Sequence, residues 1–254
     1  MTAPKNKTQQ TNQHKGWVKL SHWIVTASFM ALAISGFVIL MCHPRLYWGE
    51  VGNDLTPALI ELPVSRNYQH GGWEKSDAFF AVAGSPVSAG RTYEIFNQNG
   101  WGRSLHFLAA WVLTLTGIAY VLTGIFSGHI IRNLVPRARE FSRKLVWHDV
   151  KSHVLFRIPP ATSGPHYGVL QKFTYLFVIF FLLPLTIMTG LTMSPALTAA
   201  YPFLPKIFFG AQSARTIHFF ASTALVLFLI VHVTMVIRSG FRKQMSAMTF
   251  EQQT

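Results

Sequence analysis

Three short stretches of the sequence place a basic residue three positions before a histidine at the start of an apolar run. They are Lys19–His22, Arg103–His106 and Arg215–His218. A fourth histidine, His232, follows His218 by fourteen residues within the same run. Imidazole nitrogens are the commonest side-chain ligands of protein-bound metals. The four histidines are therefore candidate metal ligands, and the apolar runs are the elements that must position them.

The apolar runs have the length and composition of membrane-spanning helices. Half of the 254 residues are hydrophobic and only 12% are charged, which is atypical of a soluble domain. A transmembrane helix needs about 20 apolar residues. The runs that meet this requirement are Leu20–Met41, Leu105–Phe126, Phe173–Met193 and Ile217–Ile237. We predict an all-α integral membrane protein, a bundle of four transmembrane helices.

The distribution of charge predicts the orientation of this bundle. Basic residues, which give a net charge of +13, are concentrated before the first run, between the second and third runs, and after the fourth. The positive-inside rule places these segments in the cytoplasm, so both termini are cytoplasmic and the long first loop, about 42–101, is extracytoplasmic. This pattern argues against a nucleic-acid partner. The first run is too long for a signal peptide, and no small-residue cleavage site follows it.

Composition also divides the chain into two polar tails and a central membrane domain. We predict a disordered cytoplasmic tail over residues 1–16, a membrane domain over 17–245 and a second cytoplasmic tail over 246–254. The first loop is rich in aromatic residues, Gly and Pro, which predicts a compact cap. Cys42 is the single cysteine, and this excludes an internal disulfide and a cysteine-rich metal cluster.

The spacing of the histidines predicts two separate sites. Fourteen residues of helix return to within about 40° of the starting face and advance by about 21 Å. Helix direction then pairs His22 with His232 near the cytoplasmic side, and His106 with His218 near the outer side. Two bis-histidine sites stacked across a bilayer match the needs of two b-type haems, because haem iron takes axial nitrogen ligands and the ring needs an apolar slot.

The basic residues beside the histidines are candidate partners of haem propionates. A basic residue three positions from a ligand lies on the same helix face, one turn closer to water. Near His232 the chain runs toward the cytoplasm, so the basic residue there follows the ligand. The residues predicted near propionates are Lys19, Arg103, Arg215 and Arg238. Each of these alone is also compatible with snorkelling at a membrane interface.

Two further residues have competing interpretations. Gly36 follows His22 by fourteen residues and falls at the outer haem level, where a small residue would let a macrocycle approach the backbone. Ordinary small-residue packing between helices is the alternative. His129 follows the second run and is a rival ligand at the inner level.

Other functions fit less well. Structural zinc takes four close ligands, whereas these histidines divide into two distant pairs. A proton or ion carrier would need carboxylates inside the membrane, and the nine acidic residues all lie outside the four runs. We interpret the histidines of the tails and loops as solvated or structural: His14, His43, His70, His148, His153 and His166. A position beside a quinone pocket is a further option for His153 and His166.

Several motifs carry a resemblance to a known family. They are LSHW at Leu20–Trp23, YWGEVG at Tyr47–Gly52, GWGRSLHF at Gly100–Phe107, LPLTIMTGLTMSP at Leu183–Pro195, and QSARTIHF with VHV within Gln212–Val233. In these motifs the chain resembles the bacterial di-haem cytochrome b subunits of membrane-bound hydrogenases, formate dehydrogenases and thiosulfate reductases, with the thiosulfate reductase group most similar.

The resemblance implies a bundle that holds two b haems and passes electrons between a membrane quinone and a catalytic partner, often a molybdenum protein. It implies an electron-transport subunit of a respiratory chain in the bacterial inner membrane, with a periplasmic partner docked on the long first loop. By analogy, a quinone site would lie near Lys19–His22. Two alternatives remain: a self-contained quinone-linked oxidoreductase such as a superoxide oxidase, and a haem-free membrane scaffold or transporter.

Overall fold

The computed structural model describes residues 15–53, 56–64, 99–136, 147, 151 and 169–249. Most of the first loop, most of the basic second loop and most of both tails lie outside the described residues. The predictions of a compact cap and of disordered tails therefore stay predictions, as do the roles of His14, His70, His148, His153 and His166.

The described part of the chain is mostly helical. The helices are α1 Gly16–Cys42, α2 Asn99–Phe126, α3 Val169–Phe177, α4 Leu183–Thr192, α5 Pro195–Ala200, α6 Leu204–Ile207, α7 Ala211–Arg238 and α8 Phe241–Met248. π-Helical turns occupy Ile130–Leu134 and Val178–Leu182. Two short strands, β1 Arg45–Leu46 and β2 Ile60–Glu61, pair antiparallel with Arg45 opposite Glu61. Residues 246–248, assigned to a tail from the sequence, continue α8.

Within the described residues, four helical segments are long and apolar enough to cross a membrane. They are Gly16–Cys42, Gly100–Phe126, Leu170–Thr192 and Ala211–Arg238. The predicted all-α membrane fold with four spanning helices is confirmed. Each helix begins before its apolar run, because the backbone amides of the polar residues at the membrane boundary also need hydrogen-bond partners.

The third spanning segment changes its helical geometry at a proline. Pro184 lies at the start of α4, directly after the π-helical turn Val178–Leu182. Proline has no backbone N–H, and its ring clashes with the carbonyl four residues earlier in a regular α-helix. A π-helical turn widens the backbone at this point and accommodates the ring. The segment therefore continues through the proline to Thr192.

Backbone packing divides the chain into two compact units. The first comprises Met1–Trp23, Tyr120–Tyr175 and Leu229–Thr254, and the second comprises Ile24–Ala119 and Leu176–Phe228. The second unit contains an apolar core of Val178, Leu182, Ala221 and Leu225, and Phe29, Leu183, Leu185, Ala224 and Phe228 pack against it. In the first unit, the Trp17 ring packs on Tyr120 at a centroid distance of 5.4 Å.

Large apolar side chains remain exposed on the spanning helices. On α2 they recur every seven residues at Leu108, Leu115 and Leu122, each about half exposed or more. This spacing keeps them on one helix face. An exposed apolar stripe of this length is costly in water and favourable against lipid, so this face of α2 is suited to the bilayer.

The residues after β1 cap the N-terminus of α7. The Gly49 carbonyl accepts hydrogen bonds from the backbone amides of Gln212 (3.0 Å) and Ser213 (3.2 Å). The Glu50 carboxylate accepts one from the Ala211 amide at 3.3 Å. The first amides of a helix lack partners within the helix, and a negative charge there is favourable. The YWGEVG motif thus fixes the end of α7 that begins two turns before His218.

We expect Gly210→Ala to destabilise the second unit. Gly210 has φ +118°, and a Cβ there would lie 2.3 Å from the Gly49 carbonyl carbon. Left-handed strain and overpacking together should cost about 2 kcal/mol or more. Thermal unfolding in detergent, followed by circular dichroism, should show a lower midpoint. Gly117→Ala is the matched control, because its Cβ would meet nothing within 4 Å; equal midpoints for both variants would contradict the prediction.

Candidate functional site

His106 and His218 face each other in the second unit. Their ring centroids lie 6.3 Å apart with an interplanar angle of 61°. His106 lies two turns into α2, and His218 lies two turns into α7, whose N-terminus is capped as described above. The structure therefore brings together the pair that the sequence assigned to one membrane level.

The His106 ring is held by residues of α1. The Ser35 hydroxyl lies 3.0 Å from His106 Nδ1. The backbone of Leu32, one turn earlier, is a second hydrogen-bond partner of the ring. A Cβ added to Gly36 would lie 3.4 Å from His106 Cε1. The ring therefore packs against the backbone of α1 at Gly36, the residue that the sequence placed at this level.

The His218 ring is held in the same manner by residues of α4. Thr189 Oγ1 lies 3.1 Å from His218 Nδ1, and the Thr186 carbonyl oxygen lies 2.9 Å from the same nitrogen. A Cβ added to Gly190 would lie 3.3 Å from His218 Cε1. A carbonyl only accepts hydrogen bonds, so Nδ1 carries the proton and Nε2 keeps its lone pair.

His22 and His232 form the second facing pair, and this pair lies within the first unit. Their ring centroids are 6.5 Å apart. The Tyr175 ring contacts His232 edge-on at a centroid distance of 6.4 Å, and its hydroxyl accepts a hydrogen bond from Gln171 Nε2 at 2.8 Å. The predicted pairing of His22 with His232 is thus present in the geometry.

The four basic residues predicted near propionates lie in different surroundings. Lys19 is 5% exposed, and its ammonium group donates a 2.7 Å hydrogen bond to the Thr249 carbonyl. The Arg215 guanidinium donates to the His43 carbonyl. Arg103 and Arg238 are exposed at the ends of their helices. Their roles toward propionates stay predictions.

His129 packs against a different partner from the paired histidines. Its ring lies edge-on to Trp17 at a centroid distance of 5.2 Å. The Asn133 side-chain amide donates a hydrogen bond of 2.8 Å to its Nδ1. This nitrogen therefore accepts a hydrogen bond and carries no proton of its own. His129 is the N-cap residue of the π-helical turn Ile130–Leu134, and its role as a rival haem ligand stays a prediction.

Sequence reasoning missed the residues that orient the histidines. Ser35 and Thr189 are fully buried, and each directly precedes a glycine in a spanning helix. The hydroxyl–glycine dipeptide was not a sufficient signal, because it also occurs at Thr116–Gly117 and Thr123–Gly124 in α2. Lys172, 4% exposed on α3, and Tyr175 were also missed, because single polar residues near a helix end resemble interfacial anchors.

The match to a family model covers most of the chain. The model is described as prokaryotic cytochrome b561 and matches residues 13–251. The chain therefore belongs to the prokaryotic cytochrome b561 family, a class of haem-binding membrane proteins.

One relative adds a more particular similarity. It is the protein named "Putative protein-methionine-sulfoxide reductase subunit YedZ1" of Azospira oryzae, which is 25% identical over 223 residues, or 88% of this chain and 89% of the relative. The family and this relative together support a membrane haem-binding electron-transfer subunit of an oxidoreductase.

The histidine geometry fits the cofactor that the family implies. Two metal–nitrogen bonds of about 2 Å, plus about 1 Å from each nitrogen to its ring centre, require centroids about 6 Å apart. The observed separations are 6.3 and 6.5 Å. Among the described residues, no group of three or more His, Cys, Asp or Glu could hold a metal ion. Two-histidine axial ligation of haem iron therefore fits better than a zinc cluster.

The contacts of Lys19 predict how the C-terminal segment is held. Trp23 Nε1 donates a 2.9 Å hydrogen bond to the Met248 carbonyl, next to the Thr249 carbonyl that Lys19 binds. Hydrogen bonds from charged donors are worth about 1.5–3 kcal/mol. We expect Lys19→Met to let α8 open more often and to speed tryptic cleavage at Arg242 about tenfold.

Mass spectrometry of the C-terminal fragment would measure the cleavage rate. Lys15→Met is the control, because Lys15 is exposed. An unchanged rate in Lys19→Met would show that the Lys19 contact does not anchor the segment.

Proposed function

We propose that this chain holds two b-type haems and carries electrons across the bacterial inner membrane. His22 and His232 ligate one iron, and His106 and His218 ligate the other. Electrons pass between the quinone/quinol pool and a redox protein docked on the periplasmic side. The chain has no substrate site of its own beyond the quinone.

The proposal rests on two pairs of histidines whose imidazole rings face each other. Each compact unit contains one pair, and α7 supplies one histidine to each. A single pair of close histidines in a membrane protein would have several explanations. Two pairs with nearly the same centroid separation, linked by the fourteen-residue spacing on one helix, match two haems with axial histidines.

The protein's own residues prepare the site for electron transfer. A bound haem supplies a one-electron carrier whose potential depends on its axial ligands and their hydrogen bonds. Two histidines would hold each iron, His22 with His232 and His106 with His218, and would leave no open position at which oxygen or another small molecule could bind the metal directly. Hydrogen bonds to Nδ1 hold the His106 and His218 rings, which limits rearrangement when the charge of the site changes.

The proposed orientation in the membrane rests on the distribution of charge, and the proposed quinone site rests on the residues around His232. The positive-inside rule places His22 and His232 near the cytoplasmic side. Tyr175 contacts His232, and Lys172 on the same helix is almost fully buried. A phenol and an ammonium group are suitable donors to quinone carbonyl oxygens. We propose the quinone site beside Tyr175, at the end of the bundle that also contains Lys19.

The partner is proposed as an oxidoreductase on the periplasmic face. The name of the Azospira oryzae relative assigns that protein to a protein-methionine-sulfoxide reductase as a subunit. A similar partner here would be a molybdopterin-dependent reductase that receives electrons from the His106–His218 haem. The long first loop would supply its docking surface.

Substitution of the two histidines of α7 tests the haem assignment. We expect wild type to contain two haems per chain, His218→Ala and His232→Ala to contain one each, and the double variant to contain none. The physical reason is that each iron would lose one of its two axial nitrogens. Pyridine haemochrome quantitation and reduced-minus-oxidised spectra on purified protein provide the measurement.

His129→Ala is the matched control for this series and should retain both haems. Imidazole added during expression should restore haem to a His218→Gly variant, which separates ligand loss from misfolding. Haem-free wild type would eliminate the proposal and favour a membrane scaffold. Superoxide-dependent quinone reduction by the purified chain alone would favour a self-contained oxidoreductase.

Tyr175→Phe tests the proposed quinone site. Loss of the phenol hydroxyl should slow haem reduction by quinol about tenfold, because a donor to the quinone oxygen is removed. Reduction by dithionite and the haem content should not change. Stopped-flow absorbance measures both rates. Tyr120→Phe is the control, since the Tyr120 ring packs on Trp17; equal quinol rates in the two variants would place the quinone elsewhere.

A further inference from the structure

Two spanning segments present the same three groups to a histidine. In α1 the groups are the Leu32 backbone, the Ser35 hydroxyl and Gly36, and in α4 they are the Thr186 carbonyl, the Thr189 hydroxyl and Gly190. The order and spacing are identical: a backbone partner, a hydroxyl three residues later, and a glycine next to it. We call each set of three a histidine clamp.

The hydroxyl in each clamp acts as an acceptor toward the imidazole. Ser35 Oγ donates its proton to the Ala31 carbonyl at 2.6 Å. Thr189 Oγ1 donates to the Leu185 carbonyl at 2.8 Å. A hydroxyl has one proton and two lone pairs, so each oxygen has only lone pairs left for the histidine. Nδ1 of His106 and of His218 is therefore the donor.

Burial makes these contacts effective. Ser35 and Thr189 are each 0% exposed. Water does not compete for the hydroxyl oxygen or for Nδ1–H, and a hydrogen bond in a low-dielectric surrounding is electrostatically stronger than one in water. Each imidazole is thus fixed as the tautomer with an unprotonated Nε2.

The glycines set the position of each ring. A Cβ at Gly36 would lie 3.4 Å from His106 Cε1, and a Cβ at Gly190 would lie 3.3 Å from His218 Cε1. An alanine at Gly190 would push the His218 ring away by a few tenths of an ångström, and an alanine at Gly36 would be in van der Waals contact with the His106 ring. The close approach to the helix backbone is what brings Nδ1 within reach of the hydroxyl and the carbonyl.

We propose that the two clamps are positioning devices that lower the reduction potential of the haem held by His106 and His218. This inference rests on the proposed function. A histidine that donates Nδ1–H to an acceptor is a more basic ligand, and a more basic ligand stabilises the ferric state. Ser35 and Thr189 act through the histidines and do not touch the iron.

Thr189→Val tests the proposal, because valine keeps the shape of threonine and removes the hydroxyl. The ferrous-to-ferric ratio of one haem at a fixed electrode potential should rise about threefold to tenfold, up to about 59 mV in midpoint potential for a one-electron couple. Ser35→Ala should shift the same haem in the same direction. Thr189→Ser keeps the hydroxyl and should restore the wild-type value.

Thr192→Val is the matched control. Its hydroxyl is buried and bonds within the same helix to the Met188 carbonyl at 2.9 Å, and Thr192 belongs to neither clamp. This variant should leave both potentials unchanged. Spectroelectrochemical titration of the purified, haem-loaded protein gives both midpoints in one experiment.

Gly190→Ala provides a second readout that a simple loss of stability would not mimic. The low-field g value of the ferric electron paramagnetic resonance signal depends on the angle between the two imidazole planes. Movement of the His218 ring should change this value for one haem only. Gly117→Ala, in open space, should leave it unchanged.

The outcomes separate this inference from the proposed function. If wild type lacks haem, the proposed function fails. If both haems are present with the expected histidine dependence, but Thr189→Val and Ser35→Ala shift neither potential, the clamps are structural and the inference is overturned. A shift in both haems, or an equal shift in Thr192→Val, would also overturn it.

Discussion

The rest of the structure depends on two imidazole rings, those of His106 and His218, that face each other at a fixed separation. His106 and His218 each direct Nδ1 into a neighbouring helix, which leaves Nε2 for a ligand. An imidazole in a hydrocarbon surrounding must have its N–H bonded. The bundle meets this requirement with groups of its own helices, so the hydrogen bonds that satisfy the ring also orient it.

The same requirement accounts for features remote from the histidines. The capping of α7 by Gly49 and Glu50 satisfies backbone amides at the entrance of a spanning helix. The π-helical turn before Pro184 keeps the third spanning segment helical through a residue that removes one backbone donor. The cap fixes the end of α7, which contains His218, and the π-helical turn fixes the phase of α4, which contains the His218 partner Thr189.

The family relationship and the geometry support each other at different levels. Membership of the prokaryotic cytochrome b561 family accounts for haem binding in the membrane. It does not by itself select four residues from eleven histidines. The selection comes from the two facing pairs, while the number of haems, the quinone and the partner belong to the proposal that those pairs motivate.

The sequence by itself determined the four spanning helices, because apolar length and the scarcity of charge are properties of composition. It also predicted which histidines face each other, because helical period and chain direction are regular. It did not determine the clamps or the Tyr175 contact. A serine or threonine in a helix can bond to its own backbone, and only the packing of a second helix decides whether its remaining lone pairs meet an imidazole. Such contacts join residues far apart in sequence, such as Ser35 and His106, so tertiary structure alone decided them.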